Sequence, residues 1–292
     1  MTAFLLFGPS GCARAQEFQI PPAWLEPQEP FEIGESLYYV GSADLTAFLF
    51  TSDEGHILID VPMEQNVEML LANIRKLGFD PADIEIQLAS HGHFDHTGGI
   101  GPMLEVTGAE LVLSPPAAAL IGAGGKGDFH LGDRAAYPPA RAARTVGHLE
   151  TITVGDWTLT AHITPGHTKG CTSWSGELKI ARESASFVSI CSLSVLPGYR
   201  LVGDNPSYDG IGRDFCTSVA HLRSLDANVF LASHGRFIGM GAKLVALGNG
   251  DAKAFIDPEG YTAYLDRAEQ KIQKTLEDQG HEGGCASLLA NG

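Results

Sequence analysis

Between residues 90 and 99 the chain reads Ser-His-Gly-His-Phe-Asp-His-Thr-Gly-Gly, a stretch that concentrates reactive side chains. His91, His93, Asp95 and His96 fall within six residues of one another. In extended backbone, side chains two apart point to the same side, so His91 and His93 supply half of a tetrahedral zinc site. Asp95 and His96, on the turn that follows, are placed to serve a second ion nearby. Imidazole and carboxylate with positions left for water suit zinc better than calcium or magnesium. A lone histidine is more often packed or solvated than ligating. Three with an aspartate, ringed by glycines, do not read as packing.

Two further histidines occupy matching contexts. His167 lies in Thr164-Pro165-Gly166-His167-Thr168, and His234 in Ala232-Ser233-His234-Gly235. Each follows an apolar run and stands beside glycine, as a ligand at the end of a strand does. His56, His130, His148, His162 and His221 lack that context and read as structural or solvated.

The elements that must position these groups are legible as periodicity. Strands are expected at 37–40, 47–51, 57–60, 84–90, 111–114, 187–192 and 229–233, with a hairpin of 151–154 and 158–163 turned at Gly155-Asp156. Helices are expected at 64–77, where Val67, Leu70, Leu71, Ile74 and Leu77 share a face, and at 99–106, 213–225 and 261–277. The proline-rich segment 16–33 reads as an extended arm on the surface, and 122–144 as a long loop. Strand groups alternate with helices, so the class is α/β with helices flanking sheets.

Composition narrows the partners. The chain has 292 residues, with 19 Lys+Arg against 35 Asp+Glu, a net charge of −16. That balance argues against nucleic acid or an anionic membrane surface as the main partner. No apolar run reaches the ~20 residues needed to span a bilayer. Leu5-Leu6-Phe7 followed by Ala13-Arg14-Ala15 fits an export signal, so 1–15 is expected to be cleaved and 16–292 to form one domain. Removal of Cys12 leaves Cys171, Cys191, Cys216 and Cys285, an even number with three possible pairings. A periplasmic or secreted location permits such bridges.

His-x-His-x-Asp-His, then Pro-Gly-His-Thr, then a strand-end histidine resembles the metallo-β-lactamase superfamily, from about Phe31 to Ser287. The resemblance implies a four-layer αβ/βα sandwich with two zinc ions per chain between the sheets. His91, His93 and His167 would hold the first ion; Asp95, His96 and His234 the second. The superfamily also contains thioesterases, lactonases and nucleases, so the fold leaves the substrate open. Its thioesterases and lactonases place a zinc-bridging Asp at a strand end between the last two histidines. Here that strand, Ser186 to Ser194, carries no carboxylate, and Asp204 follows only in a loop.

The subclass of β-lactamases with an all-His/Asp dizinc site and Ser at this position is the most similar, through Ser192-Leu193-Ser194 and Pro197-Gly198-Tyr199. It implies hydrolysis of the β-lactam amide of penicillins, cephalosporins and carbapenems by a monomer. Asp95 would orient the attacking hydroxide, Ser192 and Ser194 would bind the substrate carboxylate, and Tyr199 would donate to the oxyanion. The rival reading is a lactone or thioester hydrolase on the same fold. A non-catalytic zinc protein is disfavoured, because structural zinc is closed off by four protein ligands. Cys191 departs from the pattern, since an Asp often precedes this Ser. It is either bridged to Cys171, leaving Cys216 for Cys285, or a thiolate ligand of the second zinc.

Overall fold

Short apolar runs of the first half build one sheet: β1 (Phe31–Gly34), β2 (Leu37–Tyr39), β3 (Phe48–Ser52), β4 (Gly55–Ile59), β5 (Ile84–Leu88), β6 (Glu110–Leu113) and β7 (Arg144–Thr145). The strands pair in chain order, antiparallel from β1 to β4 and parallel from β4 to β7. Parallel steps need crossovers. These are supplied by α1 (Val67–Lys76), by α2 (Phe94–Thr97) with α3 (Ile100–Thr107), and by α4 (Pro115–Gly122). This computed structural model describes residues 19–290, and the expected cleaved segment 1–15 with Cys12 lies outside the described residues.

A second sheet holds β8 (Thr151–Val154), β9 (Trp157–Ile163), β10 (Thr172–Ile180), β11 (Glu183–Ile190) and β12 (Val229–Ala232), in the order β12-β11-β10-β9-β8. Only β11 and β12 run parallel in it. Then come α5 (Ile211–Arg223), ahead of β12, and α6 (Met240–Gly248), α7 (Pro258–Asp278) and α8 (Gly284–Ala290) after it.

Phe48 and Phe50 of one sheet meet Leu159, Trp174 and Phe187 of the other in the central core. On the outer face of the first sheet, Val67, Leu70, Met103 and Ile121 pack against Leu49, Leu58 and Leu111. Burying each such side chain contributes roughly 1.5–3 kcal/mol. On the far side, Tyr261 and Tyr264 of α7 rest on Phe230 of β12. Helix, sheet, sheet, helix is the expected four-layer α/β sandwich.

Three features depart from the sequence reading. β10 was not anticipated: Trp174, Leu178 and Ile180 alternate correctly, but Gly176 and charged neighbours mask the run. Gly176 is there because a Cβ would lie 2.9 Å from the Phe187 ring. α4 was also unexpected, although Pro115 and Pro116 open it at the first helical positions, where a missing N–H costs nothing. The proline-rich arm is not a surface strap alone, because Trp24 is buried and Phe31–Gly34 joins the sheet as β1.

Both expected disulfides are formed, Cys171–Cys191 and Cys216–Cys285. Cys191 is therefore bonded to sulfur and is not a thiolate.

Candidate metal centre and cleft

The candidate groups collect where strands end. β5 runs out through Ala89-Ser90 into His91, after which α2 carries Asp95 and His96. His167 follows β9, His234 follows β12, and Ser192 follows β11. The His167 turn depends on Gly166, whose φ of +139° favours glycine and whose Cβ would meet the Phe215 ring at 2.7 Å. Segments separated by up to 143 residues thus converge on one cleft (His234 minus His91).

Ring centres of His91, His93 and His167 lie 4.7 to 5.0 Å apart. One ligand-type atom from each falls within 4.8 Å of the other two, and the same holds for His91, Asp95 and His96. His234 completes the group, with its Nε2 3.7 Å from Asp95 Oδ2 and its ring 4.8 Å from that of His96. All six side chains are buried.

Three of the imidazoles are held from outside the group by one ring nitrogen. Ser90 Oγ lies 3.1 Å from His91 Nδ1, and Ser90 is itself fixed by Asp60 through its N–H and hydroxyl, at 2.6 and 2.8 Å. The Ser194 carbonyl accepts from His167 Nδ1 at 2.8 Å. Asp44 Oδ2 faces His234 Nδ1 at 3.1 Å. More loosely, Asp128 approaches His93 Nε2 at 3.6 Å and Asp60 approaches His96 Nδ1 at 3.8 Å. For His91, His167 and His234 this commits one nitrogen and leaves the other for a ligand bond, as metal-binding histidines require, whereas His93 Nε2 and His96 Nδ1 are buried without a hydrogen-bond partner.

The electrostatics agree. Burial holds His167 down to about 3 and His234 to about 4, and lowers His91 well below its ordinary value. These rings are neutral near pH 7, the form that ligates. Against the opposing effect of burial, His96 and His234 hold the Asp95 carboxyl well below the usual range. His91 Nε2 is buried without a hydrogen-bond partner. A buried polar atom left unpaired costs about 1–3 kcal/mol, so the donor set fits a metal better than it fits itself.

The cleft beside this cluster has a volume of about 290 Å³, and Ser192 and Ser194 line it together with Trp24, Leu196, Arg236 and Phe237. Ser192 Oγ accepts from Ser194 N–H at 3.2 Å. Tyr199 is placed otherwise than expected. It does not line the cleft; it is buried beneath the His167 loop, its hydroxyl donating to the His167 carbonyl at 2.7 Å. Phe129 and His130 pack against its ring and hold it there. Asp204 is exposed and not part of the cleft lining.

Sequence reasoning missed the outer carboxylates Asp44, Asp60 and Asp128, and Trp24. Only Asp60 left a signal in the sequence, as a carboxylate ending the apolar run Ile57–Ile59; in the structure it takes a φ of +65°. The Trp24 ring lies tilted against His234, centres 5.7 Å apart, and donates its Nε1–H to Asp44 Oδ2.

The sequence profile of the metallo-beta-lactamase superfamily matches residues 45–179. Among solved structures, native FEZ-1 metallo-beta-lactamase from Legionella gormanii is similar at a TM-score of 0.86 and 36% identity, over 90% of this chain and 99% of that one. BJP-1, a subclass B3 metallo-beta-lactamase of Bradyrhizobium japonicum, is similar at 0.82 and 35% identity, over 88% and 97%. Among curated proteins, the N-acyl homoserine lactonase AttM of Azorhizobium caulinodans is 29% identical over 188 residues, 52% of this chain and 69% of that protein.

Proposed function

The chain belongs to the metallo-β-lactamase superfamily, and we propose that within it the protein is a dizinc hydrolase that opens the β-lactam ring of antibiotics. His91, His93 and His167 would hold one zinc; Asp95, His96 and His234 the other. Bound zinc would lower the pKa of a water from 15.7 to roughly 7 and offset charge on the opened amide. Asp95, ionised and lying between His96 and His234, accepts a hydrogen bond from the water and turns its lone pair toward the substrate. Ser192 and Ser194 donate to the carboxylate that β-lactams carry beside the ring nitrogen. Trp24 and Phe237 wall the cleft and exclude bulk water. Tyr199 positions the His167 loop from below and touches no substrate.

The observation that carries the choice of substrate is the end of β11. Cys191 is tied into a disulfide there and Ser192 faces the cleft, so no carboxylate is available to bridge two ions. The similarity to a homoserine lactonase keeps lactone hydrolysis as the second reading. Steady-state turnover of nitrocefin against an N-acyl homoserine lactone separates the two. We expect nitrocefin hydrolysis, abolished by a chelator and restored by zinc, and no lactone turnover above the blank. Lactone turnover without nitrocefin hydrolysis overturns the reading. Metal analysis giving one zinc or none in fully active protein overturns the dizinc assignment. Two disulfides suit a periplasmic or secreted enzyme, and no helix among the described residues is long and apolar enough to cross a membrane.

A further inference from the structure

The cleft beside the ligand cluster does not end at Ser194. Ser194, Arg236 and Phe237 line it and also line a second groove, of about 390 Å³, that runs on to α7. Tyr264, Arg267, Ala268 and Lys271 form the α7 wall of that groove. They recur at the spacing of three and four residues that puts side chains on one helical face. The Tyr264 hydroxyl accepts from the Leu193 N–H at 3.1 Å, which fastens this face to the chain leaving β11 just before Ser194.

The groove is basic in a chain whose net charge is −16. Its lining holds Arg236, Arg267 and Lys271 and no carboxylate. The neighbouring acids of α7 are engaged elsewhere, since Asp266 and Glu269 each accept from the Arg223 guanidinium of α5 at 2.6 Å. Asp44 already pairs with Arg236, so the uncompensated charge of the groove sits on Arg267 and Lys271, both exposed. The Phe237 and Tyr264 rings, centres 5.5 Å apart, add an aromatic surface between cleft and cations. Burial raises the Tyr264 hydroxyl to about 12 while Arg267 and Arg236 pull it down, so both guanidinium groups act on that surface.

We propose that this groove is a subsite for an anionic substituent of the substrate, carried on an aromatic ring next to the carboxylate that Ser192 and Ser194 bind. The inference rests on the β-lactam reading above and narrows it to a preference within that class. A substituent that leaves the fused rings beside that carboxylate starts at Ser194, where cleft and groove join. Its ring then lies over Phe237 and Tyr264, and a terminal sulfonate or carboxylate meets Arg267 and Lys271. These cations touch none of the reacting atoms, so they strengthen binding of substrate and transition state alike and act on KM. Exposed ion pairs are weak and screened by salt, so each cation contributes about 1.5- to fivefold.

The test is steady-state hydrolysis of cefamandole and cefonicid, cephalosporins that differ only by a sulfonate on the tetrazole borne beside the ring carboxylate. It uses the zinc-loaded full chain as wild type, Lys271→Glu and the double variant Arg267→Glu/Lys271→Glu. Wild type is expected to show the lower KM for cefonicid. The double variant should lower the cefonicid-to-cefamandole ratio of kcat/KM by at least about fivefold, through KM, with cefamandole constants within about twofold of wild type. Lys271→Glu alone should fall between, and decides the matter if the double variant fails to fold. About 1 M NaCl, where the screening length is about 3 Å, should erase the wild-type preference. An unchanged ratio in the variants, or equal loss on both substrates, overturns the subsite while continued cefamandole turnover leaves the β-lactam reading standing. No cefamandole turnover by wild type overturns that reading, and the subsite with it.

Discussion

Replacing Asp44 with Asn tests whether the cluster is organised from outside. Asp44 is buried, and Oδ2 faces His234 Nδ1 at 3.1 Å and Trp24 Nε1 at 3.2 Å, while Oδ1 accepts from the Arg236 N–H at 2.9 Å. The Arg236 guanidinium also pairs with it. Despite burial, bonds from His234 and Arg236 lower its pKa to about 2. As an anion it only accepts, so it draws the proton of His234 to Nδ1 against the Arg236 guanidinium, whose Nη1 also lies 2.8 Å from that nitrogen, and leaves Nε2 for a metal. An amide cannot satisfy all these donors. With its NH2 toward His234, the ring must move its proton to Nε2, where it blocks ligation. Flipped, the NH2 opposes the Arg236 N–H. Loss of such an outer partner weakens metal affinity about 10–100-fold, or roughly 1.4–2.7 kcal/mol. Competition with a chromophoric chelator reads this directly. We expect the constant for the ion bound by His234 to weaken by that factor and the other to stay within about twofold of wild type. Two unchanged constants would refute the idea that Asp44 sets the His234 tautomer, as would equal loss at both.

Other expectations follow from the same geometry. Asp95→Ala removes a ligand and the group that orients the nucleophile, whereas His167→Ala removes a ligand only. The Asp95 variant should show the lower kcat in zinc-saturated assays, and a near-normal kcat with full occupancy contradicts the role given to it. The Cys171–Cys191 bridge closes a loop of 20 residues and is worth about 3 kcal/mol in the chain-entropy model. The double Ser variant should show that loss in urea unfolding, and no shift in midpoint contradicts it. His162 titrates near 4 when folded against 6.5 ordinarily, chiefly through burial, so the unfolded chain binds more protons between those values. Stability is complete above pH 6.5 and is lost as pH falls toward 4. Urea midpoints at pH 7 and 5 should fall further for wild type than for His162→Gln, and parallel falls count against the shift.

The metal-binding character was readable because it is local. Within His91 to His96, residue type and spacing along one strand exit already bring ligands together, and the contexts of His167 and His234 repeat that exit. Helix α1 was equally plain, since its buried positions Val67, Leu70, Leu71 and Ile74 follow the helical period. β10 was hidden because Gly176, needed for close approach of Phe187, interrupts the pattern that marks a strand. Tyr199 looked like a cleft residue by proximity to Ser192 and Ser194, yet the chain turns at Pro197-Gly198 and sends its ring under the His167 loop. Asp44 lies 190 residues from His234, so no window along the chain relates them. His148, His162 and His221 were each unremarkable alone and meet only when β9 packs on α5. Spacing along one segment determines which groups share a ligand set. Which distant groups orient them depends on strand register and layer packing, where contacts are set by burial rather than by sequence distance.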